Sequence, residues 1–142
     1  METFKIDLFK SEYKTDFPRF ISLSTEECLM LVDGLLKKYE FSNIDSLIKL
    51  LYSDKELLLS INACEEFKLT DTLNSLKVNP LTNVYVNWHR FNDIDILNTA
   101  DIDKYFFDLW YPSSDDIDIF DESLDWIISI RHDGCVSFLK HG

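Results

Sequence analysis

Glycine and proline are scarce, three of each in 142 residues, so no flexible or proline-rich linker divides the chain. It reads as one domain, residues 1–142, which is length enough for one core of useful size. The three cysteines, Cys28, Cys64 and Cys135, are odd in number and widely spaced, which argues against a disulfide framework and for free thiols in a reducing cytosol. No apolar run approaches the length of a membrane span; Cys28 to Val32 is among the longest. The opening residues METFKIDLFKSEYK place acids and lysines where a secretion signal needs an apolar segment. A cytoplasmic protein with no membrane partner is expected. Basic residues are also few, 14 against 26 acids, for a net charge of −12. That balance repels phosphate backbones and excludes nucleic acid as a direct partner.

Hydrophobic residues, by contrast, make up 46% of the chain and aromatics 14%, which separates it from disordered acidic sequences. The negative charge is concentrated. Asp93 to Asp125 holds eleven acids against Lys104 alone. A surface of that kind attracts a basic protein or a cation.

The periodicity predicts an α+β domain, with N-terminal helices packed on one face of a small antiparallel sheet that ends in a C-terminal meander. Thr3 to Phe20 is mixed, with Phe4, Ile6 and Leu8 alternating as a short strand or forming a helical arm. Ser24 to Glu27 spells a capping box, followed by Leu29, Leu31, Val32, Leu35 and Leu36 at helical spacing. Ser42 to Tyr52 gives a second helix. A second box at Ser53 to Glu56 predicts a third, through Leu57, Leu58, Ile61 and Cys64. Leu69 to Leu81 reads as connection. Asn83 to His89 alternates as a strand, Tyr85, Asn87 and His89 sharing one face. Asn92 to Asn98 reads as an acidic loop with a short extended piece. Thr99 caps a helix whose stripe is Ile102, Tyr105, Phe106, Leu109 and Trp110, and Pro112 ends it. In the meander, Ile117 and Ile119 oppose Asp118 and Phe120, while Trp126, Ile128 and Ile130 oppose Ile127, Ser129 and Arg131. A three-residue turn, His132 to Gly134, pairs Ile130 with Val136 and Ile128 with Phe138 and keeps one apolar face.

Three groups of residues invite chemistry. Asp115, Asp116 and Asp118 suggest a metal, but they lack the glycine and terminal glutamate of an EF-hand loop, and a solvated strand face with Arg131 as cross-strand partner accounts for them. His89 and His132 are candidates for acid–base catalysis in a small hydrolase or nuclease, yet no Ser, Cys or carboxylate accompanies them in a recognisable motif. His132 with Cys135 is half a zinc site. No catalytic residue, metal ligand or cofactor is therefore assigned. Tyr111 beside the acids is the more suggestive feature, since an aromatic ringed by carboxylates can anchor a basic partner.

The segment YFFDLWYPSSDDIDIFDESLDWIISIRHDGCVSF, Tyr105 to Phe138, resembles the C-terminal part of small bacterial immunity proteins, which neutralise the toxin domains of contact-dependent and other polymorphic toxin systems. The likeness covers about a quarter of the chain. It implies a cytoplasmic, non-enzymatic protein that binds one cognate toxin domain, for which a nuclease with a basic surface is the apt partner. On that implication Tyr111, Asp115, Asp116, Asp118, Asp121, Glu122 and Asp125 meet the partner. The alternatives from the residues alone are a hydrolase or nuclease using His89 and His132 or Asp115 to Asp118, and a regulatory protein-interaction module.

Overall fold

In the computed structural model, which describes residues 1–142, one antiparallel sheet gathers seven strands drawn from almost the whole chain. The strands are β1 (Phe20–Ser22), β2 (Leu58–Asn62), β3 (Asn83–His89), β4 (Asp93–Asn98), β5 (Ile117–Phe120), β6 (Trp126–Ile130) and β7 (Cys135–Lys140), in the order β1-β4-β3-β5-β6-β7-β2. Five α-helices accompany them: α1 (Thr3–Tyr13), α2 (Thr25–Tyr39), α3 (Ile44–Ser53), α4 (Leu69–Ser75) and α5 (Thr99–Leu109). The architecture is α+β with a C-terminal meander.

The meander forms in the register that its apolar alternation requires. Ile130 pairs with Val136 and Ile128 with Phe138. Gly134 closes the three-residue turn at φ 92°, and a Cβ there would lie 2.1 Å from the Asn62 side-chain oxygen. Both the conformation and the close approach call for glycine. The α2 capping box is complete, Ser24 Oγ accepting from Glu27 N–H and Glu27 Oε1 from Ser24 N–H. Asn43 caps α3 through Ser46 N–H, and Asn98, one residue before the expected Thr99, caps α5 through Ala100 N–H.

Helices α2 and α3 cover one sheet face, placing Cys28, Leu35, Leu47 and Leu51 against Phe91, Ile94, Phe120 and Ile127. The other face is covered too. Leu69 and Leu73 of α4 and Ile102, Phe106 and Leu109 of α5 pack on Val84, Val86, Ile117, Ile119, Ile128 and Ile130. α1 lies beyond, with the Phe9 ring edge-on to Tyr105 at 5.0 Å between centroids. Trp110 and Trp126 are core residues, as expected.

Three segments differ from the sequence reading, and a fourth, Thr3 to Tyr13, takes the helical one of the two forms its pattern allows. Ser53 to Cys64 is not a helix: Asp54 caps a single 3₁₀ turn over Lys55–Leu57, and the chain then runs as β2 along the edge of β7. Leu59 and Ile61 face the core from that strand, and the unpaired edge of β7 decides in favour of strand. Thr3 to Tyr13 is helical, and its buried side is Lys5 and Phe9, not the alternating Phe4, Ile6 and Leu8. Leu69 to Ser75 forms the short α4 because Leu69, Thr72 and Leu73 find the core. The acidic loop at Asp93 to Asn98 is a full strand, its Asp95 buried and hydrogen-bonded by Ser22 Oγ at 2.6 Å and Trp88 Nε1 at 2.9 Å.

Candidate functional site

The residues expected to meet a partner do not form one outward face. They divide between the two ends of β5, and half of their carboxylates point inward. Asp115, before the strand, is 9% exposed. Its Oδ2 accepts from Lys5 Nζ at 2.7 Å and from Tyr111 N–H at 2.8 Å. Asp118 is 5% exposed and accepts from Asn87 Nδ2 at 2.9 Å, Ser129 Oγ at 2.6 Å and Arg131 Nη2 at 3.1 Å. Asp121, after the strand, is 1% exposed and accepts from Ser123 N–H, Leu81 N–H and Trp126 Nε1. An outward role for these three is corrected. Burying a carboxylate is costly unless its oxygens find donors; Asp118 and Asp121 accept from the protein on both oxygens, and Asp115 on Oδ2.

Four of the predicted residues keep some access to solvent. Glu122 is exposed. Asp125 is exposed and pairs with Lys38 Nζ at 2.5 Å, whose hydrogen bond and charge hold the carboxyl below its usual range. Tyr111 is half-buried, its ring 5.7 Å from that of Phe4. Burial, then Asp108, Asp115, Glu12 and Glu2, push its hydroxyl upward. Asp116 is half-buried and grips His132, accepting from the backbone N–H at 2.7 Å with Nδ1 at 2.9 Å.

What strand pairing brings together is a polar row across the sheet. Asn87, Asp118, Ser129 and Ser137 are successive register partners on β3, β5, β6 and β7, and all four are buried. Beyond this row lie His89, Asp116 and Arg131, where Tyr52 of α3 closes over the sheet. The Tyr52 hydroxyl donates to Asp116, and the Arg131 guanidinium stacks 3.8 Å from the centre of its ring. A polar cavity of about 330 Å³ opens beside them, lined among others by Tyr52, Asn87, His89, Arg90, Asp116 and Asp118. The cross-strand partnership expected of Arg131 is present, directed to Asp118. Sequence reasoning did not find Lys5, Tyr52 or Ser129; Asn87 carried a signal, an amide well inside an alternating strand.

Chemically the arrangement holds charge in place. His132 Nδ1 is committed to Asp116, and the His89 backbone N–H donates to Asn87 Oδ1. No three His, Cys, Asp or Glu side chains group so as to hold a metal ion.

The His132–Asp116 contact makes a pH prediction. Asp116, through its hydrogen bond and charge, raises His132 above the ordinary histidine value. Burial alone would raise Asp116, but the His132 backbone and ring more than offset it and lower the carboxyl. A raised histidine stabilises the fold below its unfolded value and loses that contribution as pH rises through the folded one. A lowered carboxyl stabilises above its unfolded value and loses the contribution as pH falls through the folded one. The contact is therefore at full strength between roughly pH 4 and 6.5, bounded by the two unfolded values. Titration of the His132 ring by NMR should give a midpoint above that of a free histidine, and Asp116→Asn should bring it back. An unchanged midpoint in the variant would remove Asp116 as the cause.

Compared with models of known protein families, with curated proteins and with solved structures, the chain matches none. The immunity resemblance thus rests on the Tyr105–Phe138 segment. No helix of the chain is long and apolar enough to cross a membrane.

Proposed function

We propose that this chain is an immunity protein that neutralises a bacterial toxin domain, a nuclease, by binding its basic surface. The observation that carries the reading is the charge left outside. Only four of the 26 acids, Asp95, Asp115, Asp118 and Asp121, are buried, so inward pairing leaves the surface strongly negative. Such a field speeds encounter with a basic cleft and competes with the phosphate backbone that the cleft evolved to hold. Cytoplasmic placement and the three free thiols belong to the same reading.

The test begins with the reading frame immediately upstream, where a large gene with a variable C-terminal domain would supply the toxin. That domain, made together with this chain, should cease to arrest growth, and an equimolar mixture should lose nuclease activity. Failure to form a complex at micromolar concentration would sink the proposal. The His132–Asp116 contact favours a hydrolase as second reading. Turnover of RNA, DNA or simple esters by the chain alone, with or without Mg²⁺, would put that reading first.

A further inference from the structure

One row of the sheet, Ile21–Ile96–Tyr85–Phe120–Ile127, runs through register partners on β1, β4, β3, β5 and β6. Its inner members, Phe120 and Ile127, are fully covered by α2 and α3. Its outer members are not. Tyr85 and Ile96 are half-buried, and Ile21, on the terminal strand, is 54% exposed. Above Tyr85 and Ile96 a cavity of about 340 Å³ opens, with Leu81 and Glu122 also among its walls. That volume is near the low end of ligand pockets, ~300–1,000 Å³, and suits one long side chain.

The one charged residue in the cavity wall is Glu122. Glu27, in the first turn of α2, is exposed. The Tyr85 hydroxyl is pushed upward first by burial and then by Glu122, Glu27 and Asp121, with no cation among these influences. An anion is repelled here, and a neutral apolar group would strip water from Glu122 without replacing its hydrogen bonds. A group that suits both wall and rim has an apolar stem and a flat cationic head with several donors. Arginine has that form: its guanidinium stacks on aromatic rings and pairs with carboxylates, while its methylenes lie on aliphatic surface.

We propose that this slot receives an arginine side chain from a basic protein partner, its stem on Ile96 and Leu81 and its guanidinium at Glu122 beside the Tyr85 ring. The inference rests on the immunity reading only for which protein supplies the arginine. Glu122 thereby keeps its expected contact role, and Tyr85 joins it.

N-acetyl-arginine amide, titrated into the ¹⁵N-labelled chain, is the probe. Saturable shifts should centre on Tyr85, Ile96 and Glu122. The neutral isostere N-acetyl-citrulline amide should bind about ten-fold more weakly, since it loses the charge-assisted pairing. Glu122→Gln should weaken arginine by a similar factor, and Glu65→Gln, an exposed acid elsewhere, should not. Shifts spread along the exposed acids, or equal binding of arginine and citrulline, would overturn the slot. Arginine binding here without neutralisation of a toxin domain leaves the slot and removes the immunity reading. Neutralisation without arginine binding here does the reverse.

Discussion

Lys5→Met should cost about 3–5 kcal/mol of stability, the usual result of stripping one partner from a buried ion pair. Lys5 is 1% exposed although it lies on the first helix of an acidic protein. Its Nζ donates to Asp115 Oδ2 at 2.7 Å and to the Leu109 carbonyl, in the last turn of α5, at 2.9 Å, and sits 4.3 Å above the Trp88 ring. Three elements distant in sequence converge on one ammonium. Methionine fills much the same volume, so packing is largely kept and the loss is electrostatic. Asp115 is left buried with only the Tyr111 N–H, and the Leu109 carbonyl loses its side-chain donor. Urea unfolding should show the loss, with the melting temperature lower by on the order of 10 °C for a chain of this size. Adding Asp115→Asn should recover part of it, since the uncompensated charge is then gone. A loss below about 1 kcal/mol would mean that the site admits enough water to screen the pair.

Lys5 also marks how far the sequence could be read. Where a local pattern agrees with its surroundings, sequence and structure coincide: the Ser24 capping box, the Asn83–His89 strand, and the Gly134 turn with its register. These depend on residues a few positions apart, or on keeping one face apolar. The misread segments depend on contacts across the chain. Leu57 to Ile61 satisfies both a helical and an alternating pattern, and only the free edge of β7 selects the strand. Asp95 made β4 look like a loop because nothing local announces that Ser22 and Trp88 will hydrogen-bond it. The candidate site was legible in kind and misjudged in direction. That acids gather from Asp93 onward was plain, and that Glu122 and Asp125 stand outside was correct. The inward turn of Asp115, Asp118 and Asp121 needed donors such as Lys5, Asn87, Ser129 and Leu81 N–H, which lie on other elements.

That division separates two charge reversals four positions apart. Asp118→Lys should destabilise the fold by at least about 4 kcal/mol, enough to leave much of the protein unfolded at 37 °C given typical total stabilities. The carboxylate holds Arg131, which is itself nearly buried at 11% side-chain exposure and whose Nε already lacks a partner. A lysine there would face that guanidinium and would also leave Asn87 Nδ2 without its acceptor. Glu122→Lys, on an exposed turn, should change stability by no more than about 0.5 kcal/mol. Its effect should fall on binding, as a weaker complex with a flatter dependence on salt. Circular dichroism of both variants, followed by affinity measured at two salt concentrations for whichever folds, separates the two roles. If Asp118→Lys folded normally and lost only affinity, the carboxylate would belong to the contact surface after all. If it unfolds while Glu122→Lys remains folded and binds less tightly, the β5 carboxylate acts in the sheet, and contact with the partner falls to the turn that follows it.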